Sequence, residues 1–506
     1  MNPAQTTAES LALMKAAQAA PDASLAKAWT QSGSAVQGIT AYDLEAPAKK
    51  LYPVITPLRN RIPRTSGKGG IQANWRAITG INTGGVSAGV GGGNRGGVIA
   101  TSVANYSASY AGLGLEDYAT FEADYAAEGF DDIKALTVEG LLRSLMIQEE
   151  RIILGGNSSL ALGQCGTATL SAATTGGAIT GATGGAKTIY VQCVALTLEG
   201  FLNSTVSATG VPGAVSRTNA DSSTDSYGGG SSQPGTEASQ VCGTSTDTNS
   251  VNASVTAVNG AVAYAWYWAS TTGAERLGAI TTINSVVITS LIGGASTQLA
   301  SALSADNSQN SLVFDGLLTQ LAKPGSGSYV ARMATGTPGT GTPLTSDSAG
   351  GIVEIDTALK SFWDNYRLSP TDIYVNAQEL LNISKKVLSA ASTSAQRFTF
   401  NVEQGMLAGG TLVRSYLNKF GMNGAQEIPI RLHPNVPPGT IVFFCDQIPY
   451  PLSNVSNVLQ VRCRRDYYQI EWPMRSRKYE YGVYADEVLQ NYFPPAFGFI
   501  TNVANG

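Results

Sequence analysis

Acid–base or nucleophilic chemistry in this chain of 506 residues would have to run through His433, its single histidine. A Ser-His-Asp or Cys-His arrangement needs an imidazole that faces a substrate. His433 stands in "RLHPNVPPG", between an expected strand and a proline turn, which is a structural setting. Carboxylate pairs, the other route to proton transfer, occur as Asp131–Asp132, Glu149–Glu150 and Asp486–Glu487. They fall at a helix start, a helix end and a strand, where solvated or ion-paired surface is the ordinary reading. Gly91, Gly93 and Gly96 stand in the order G-x-G-x-x-G. A dinucleotide site needs a buried strand before that run and a helix after it, and the sequence offers neither. The cysteines (Cys165, Cys193, Cys242, Cys445 and Cys463) show no CxxC pair and no metal-ligand spacing. No catalytic, cofactor-binding or metal site is expected, no cofactor is implied, and the chain does not read as an enzyme.

Composition narrows the class further. Hydrophobic residues make up 43%, enough for a packed core, and the length suggests two to four structural units. The net charge of −4 argues against binding nucleic acid by counterion release. The opening "MNPAQTTAESLALMKAAQAAPDA" lacks the basic-then-apolar order of a secretory signal, and no run reaches membrane-spanning length. Synthesis in a reducing cytoplasm, with no membrane partner, is expected.

Several elements are legible from pattern. Pro47, Pro53, Pro57 and Pro63 break any long helix near the start, so residues 1–65 read as an extended arm. Tyr42, Leu51, Tyr52, Val54 and Ile55 would pack on the body or on another chain. Alternating segments around Ile71–Ile81 and Val98–Tyr110 flank a glycine-dense tip, the pattern of a long hairpin. "DDIKALTVEGLLRSLMIQEERIILGG" has acid at its start and a glycine stop, predicting a helix of roughly 23 residues spanning about 35 Å.

From Asn157 to Asn310 only ten of 154 residues are charged, and short β-patterned runs appear among Ser, Thr, Gly and Ala. Val262, Tyr264, Trp266 and Trp268 alternate as a half-buried sandwich strand requires, with core packing preferred over stacking on a sugar or base. This region reads as an inserted immunoglobulin-like or fibronectin-like domain that folds by itself and adds little to the host core. The remainder alternates helix and strand, so the host is α+β. It includes helices in "GIVEIDTALKSFWDNYRLSP" and "AQELLNISKKVLS", the latter capped by Asn376.

Near the end, the 28 positions Val461–Val488 hold eleven charges of both signs. Tyr479, Tyr481 and Val483 alternate with Glu480 and Gly482, giving a strand with two faces. Dense charge of both signs fits a partner with the reciprocal pattern, and another copy of the chain is the simplest such partner. The rival reading is a solubilising edge strand. Candidate intersubunit contacts are Lys68, Arg95, Arg475, Arg477, Lys478, Glu480, Asp486 and Glu487.

The order of these parts, with the turn "NVPPGTIVFFCD" and the ending "KYEYGVYADEVLQNYFPPAFGFITNVANG", resembles the major capsid proteins of tailed double-stranded DNA bacteriophages. The resemblance covers about residues 40–160 and 311–506. It implies the tailed-phage capsid fold, with a spine helix and an extended β-hairpin. The divisions are an N-terminal arm (1–65), extended loop (66–112), peripheral domain (113–160), immunoglobulin-like insertion (161–297), axial domain (298–452) and peripheral return strands (453–506). It also implies hexamers and pentamers tiling an icosahedral shell around DNA, with no sequence-specific binding. Portal and scaffolding proteins would be partners, and the virion the destination after synthesis in the host cytoplasm. Some members join a hairpin lysine to a neighbour's asparagine. Lys68 is the only lysine of this hairpin and sits at its base, which argues against that chemistry here. The alternatives are an extracellular adhesin or surface-layer protein, opposed by the missing signal, and a carbohydrate-active enzyme, opposed by the missing carboxylate site.

Overall fold

The computed structural model describes residues 49–504 apart from 130, 182, 183, 245, 295, 390–412, 422, 423 and 452. The Ala-rich opening of the arm lies outside the described residues. The chain divides into two units. The smaller comprises, among the described residues, 49–52 and Glu122–Ile133, and is rich in acid. The larger runs from Pro53 to Phe121 and again from Lys134 onward.

The larger unit opens with a short helix α1 (Pro57–Arg61) and a strand β1 (Arg64–Ser66). Proline suits the first turn of α1, where its missing N–H is no loss. Strands β2 (Gln72–Ile81) and β3 (Thr101–Ser109) pair antiparallel and form a sheet of their own. Strand β4 (Ala111–Thr120) comes next; helix α2 (Phe121–Ala126) belongs from Glu122 onward to the smaller unit. Helix α3 (Ile133–Gly155) has 23 residues and buries Leu141, Leu145, Ile153 and Leu154. At its last residue, a Cβ on Gly155 would collide with the Leu198 side chain, so glycine lets Leu198 close on the helix end.

The charge-poor region follows. It holds strands β5 (Thr169–Ala173), β6 (Lys187–Leu196), β7 (Ala214–Thr218), β8 (Thr224–Gly228) and β9 (Ala238–Cys242). Strands β10 (Ser250–Ser254), β11 (Ala263–Ala269), β12 (Arg276–Thr281) and β13 (Ser285–Ile288) complete it. Helix α4 (Leu198–Asn203) follows β6, with the Thr197 hydroxyl accepting from the Gly200 N–H at 3.3 Å. Two antiparallel sheets, ordered β13-β10-β5 and β12-β11-β6-β9, face each other across a shared core. That core contains Ile189, Val191, Cys193, Val251, Tyr264, Trp266, Trp268 and Ile288.

Strand β11 differs from the expected half-buried strand. Tyr264, Trp266 and Trp268 face the space between the sheets, while Ala263, Ala265 and Tyr267 face the host core. Val194, Leu196 and Leu277 join them on that second face. The expectation that this region adds little to the host is therefore corrected. A four-stranded sheet covered on both sides cannot be lifted off without opening the host core. The indoles of Trp266 and Trp268 donate to Thr281 Oγ1 at 2.8 Å and to the Ser290 carbonyl at 2.9 Å. The Trp268 ring fills the space where a Cβ on Gly278 would stand, so the aromatic ladder is core.

The rest is mixed α and β. It contains helix α5 (Leu317–Ala322), strand β14 (Tyr329–Arg332), helix α6 (Val353–Tyr366), strand β15 (Asp372–Val375) and helix α7 (Ala377–Ser389). Asn376 caps α7, its side chain accepting from the Gln378 N–H at 3.1 Å. Strands β16 (Ser415–Asn418), β17 (Gln426–Leu432), β18 (Ile441–Phe444), β19 (Leu459–Glu471), β20 (Lys478–Asn491) and β21 (Gly498–Thr501) follow. They form a six-stranded sheet, β14-β21-β18-β15-β17-β16, and a four-stranded sheet, β1-β19-β20-β4. The architecture is α+β.

Candidate assembly surface

Charge in this protein is sorted between a buried cluster and exposed tips. In the cluster, Glu149 and Glu150 leave α3 side by side and are wholly buried. Glu150 accepts from the Leu58 and Arg59 amides at 2.9 and 2.7 Å, which caps α1, and from His433 Nε2 at 2.6 Å. His433 Nδ1 accepts from the Asn435 amide at 3.1 Å, so the proton of this ring sits on Nε2. Glu149 accepts from Arg59 Nε at 2.8 Å and from Arg64 and Tyr467. Glu487, from β20, is also wholly buried and accepts from Arg64 Nη2 at 2.7 Å. Arg61 pairs with Asp372 and Asp446. The end of the arm is thereby stitched into the body.

This corrects two expectations. Glu149, Glu150 and Glu487 are not solvated surface: each is enclosed by cations or amides that arrive from distant parts of the chain. Glu487 is also withdrawn as an intersubunit contact, since it has no exposed surface to offer one. Burial, with the Glu149 charge second, pushes its carboxyl up to about 8. Burial would depress Arg64, but Glu487 and Glu149 reverse this and hold it above the usual range.

The remaining candidates lie at the surface and divide by partner. Lys478 pairs with Glu480 at 2.7 Å, and Asp486 with Arg464 at 3.1 Å, within one chain. Much of the charge that reads as reciprocal in sequence is therefore answered locally, within β20 and across the β19–β20 ladder. Arg475 and Arg477 are exposed in the turn between β19 and β20. Arg475 lies close enough to Asp221, beyond the end of β7, to help hold that carboxyl low, after the Ser223 hydrogen bonds.

Lys68 and Arg95 are exposed on the β2–β3 segment, at its base and in its tip. Trp75 stacks on Tyr106 directly across the ladder with ring centroids 5.9 Å apart, and Arg76 Nε donates to Asn105 at 3.0 Å. Beyond that pair the ribbon leaves large apolar groups in solvent: Ile78 is 67% exposed, Ile81 73% and Val98 91%. A two-stranded ribbon is marginal in water unless something covers one face.

Other motifs resolve into structure. Gly91, Gly93 and Gly96 fall in the irregular tip, with no helix after them. So does Gly85–Gly89, which reads G-x-S-x-G. Ser87 there lacks the strand and helix of a nucleophile elbow and accepts from the Gly89 amide at 3.3 Å. Among the described residues, no three of His, Cys, Asp and Glu gather as a metal site requires. Sequence reasoning also missed Arg59, Arg61 and Arg64, since their partners lie 85 or more residues away.

No family model matches the chain, and no curated protein matches it in sequence. Among solved structures it is similar to the capsid of a native GTA particle, at 7% identity over 92% of this chain and 96% of that one, with a TM-score of 0.40. It is similar to Gordonia phage Cozz at 7% identity, covering 94% and 98%, with a TM-score of 0.39. For the capsid of Myoviridae phage XM1 the figures are 10%, 91% and 95%, with a TM-score of 0.37.

Proposed function

We propose that this chain is a major capsid protein of a tailed double-stranded DNA phage, a structural subunit that assembles with copies of itself into an icosahedral shell. The observation that carries this reading is the β2–β3 ribbon, which pairs with no other strand among the described residues and exposes isoleucine and valine along its length. Apolar surface of that kind requires a cover. Charge points to a second copy as the cover: Gly67–Gly112 holds Lys68, Arg76 and Arg95 and no acid, whereas Glu116–Asp132 holds seven acids and no base. Opposite surfaces on identical chains favour head-to-tail contacts, and such contacts close into rings. Hexamers and pentamers are the expected rings. Portal and scaffolding proteins are the expected partners, and the virion is the destination after synthesis in a host cytoplasm.

The β5–β13 region is proposed as an immunoglobulin-like insertion. Its four-stranded sheet, with β6 and β11 central, supports this. The division of the remainder into extended loop, peripheral and axial parts follows from the same reading. Electron microscopy and sedimentation of the purified protein test the function. Closed shells or hexameric rings are expected, and a monomer at every accessible concentration would overturn the proposal.

A further inference from the structure

Glu149 and Glu487 are both wholly buried, and both depend on one guanidinium. Arg64, on the three-residue strand β1, gives Nη1 to Glu149 and Nη2 to Glu487. Nη2 also reaches Asp466 of β19, whose side chain is 58% exposed. Glu149 has further donors in Arg59 and Tyr467. Glu487 has none, and its Oε1 is buried without a partner among the described residues. Its ladder partners bring no cation: Cys463 lies opposite on β19, and Ala111 on β4. Arg59 and Arg64 are already matched by Glu149 and Asp466, so an ionised Glu487 would have no cation of its own.

We propose that Glu487 is a proton-gated latch on the arm, protonated while β1 lies on β19 and ionised when the strap from Pro63 to Gly67 lifts away. Strand β1 is the weakest cover of this carboxyl. It pairs with β19 only over Arg64–Ser66, whereas β4 pairs with β20 from Lys478 to Glu487. Lifting β1 admits water to Glu487 at the smallest loss of structure. The carboxyl is held near 8 when closed and returns to its ordinary range when open. Opening therefore grows as pH rises from about 5 and levels off above about 8; acid locks the strap. The device lies inside one subunit and holds whether or not copies assemble.

Hydrogen exchange on the full chain tests it. The Val461 amide donates to the Pro63 carbonyl at 3.0 Å and the Gly67 amide to the Cys463 carbonyl at 2.6 Å, so both report on the strap. Corrected for intrinsic exchange, their protection should fall about a hundredfold between pH 5 and 7, a tenfold per unit for one proton. Glu487→Gln should flatten that slope. Amides of β15, deep in the six-stranded sheet, should stay more protected than the strap amides at every pH, because the strap opens locally. A flat wild-type profile, a fall in Glu487→Gln equal to wild type, or strap amides as protected as those of β15 would each overturn the latch. If Glu487→Gln does not fold, Glu149→Gln serves: with Glu149 neutral an ionised Glu487 is balanced on Arg64, so the slope should shrink, and an unchanged slope overturns the proposal.

Discussion

Glu150 Oε1 accepts from His433 Nε2 at 2.6 Å, although the two residues stand 283 positions apart. The same carboxylate caps α1, so one side chain of the long helix ties together the arm and the residue that follows β17. His433→Ala leaves the carboxylate with its two amides and should lower stability by about 2 kcal/mol. Glu150→Ala strands the capped amides and the imidazole together and should cost about 3–5 kcal/mol. Chemical denaturation reads both. An unchanged midpoint in His433→Ala would show the contact to be energetically idle.

Glu379 predicts a pH dependence. It is wholly buried; its Oε1 accepts from the Gly439 amide at 3.0 Å and from Asn382 at 3.3 Å, and Oε2 has no partner among the described residues. Burial pushes its carboxyl up to about 7. Below about 4.3 the group is protonated in both folded and unfolded chains and costs nothing. Between there and pH 7 only the unfolded chain ionises, so stability falls with rising pH, by roughly 3 kcal/mol once pH passes 7. Glu379→Gln should remove that slope. A slope of the same size in the variant would assign it elsewhere.

The position of an arm truncation should decide its effect. Removing residues 1–52 leaves α1 in place, and a folded, soluble subunit that fails to close shells is expected. Removing residues 1–60 also strips the buried Leu58 and the Arg59 partner of Glu149, so the subunit itself should be destabilised. Shells of normal size from the shorter deletion would show that the arm is not an intersubunit element.

Replacing residues 163–297 with a short Gly/Ser linker should abolish folding. Val194, Leu196, Ala265, Tyr267 and Leu277 close one side of the host core. Removing only the exposed turn between β7 and β8, residues 219–223, should be tolerated. Circular dichroism and solubility separate the outcomes, and a folded, assembling protein after the large deletion would restore the view of a free-standing lobe.

Reversing Arg475 and Arg477 to Glu should weaken assembly, more at low salt than at high, because exposed charges are screened within about 10 Å at 0.1 M salt. Light scattering across an ionic-strength series measures this. Identical assembly at every salt concentration would reduce the β19–β20 turn to a solvated edge.

By itself the sequence determined the elements whose cause is local. Helix α3 is set by acid before it and Gly155–Gly156 after it, α7 by its Asn376 cap, and the β2–β3 ribbon by alternation around a glycine tip. These signals act over a few residues, through dipoles, caps and pleat, and need no knowledge of neighbours. The α+β class was legible for the same reason. Tertiary structure alone decided which charges are buried. Glu149, Glu150 and Glu487 look like surface acids until α1, β1 and His433 close over them, because the cost of burying a carboxylate is met by donors that the fold delivers from far along the chain. It likewise decided that β11 is covered on both faces: alternation shows that a strand has two sides, and only packing determines what lies against each.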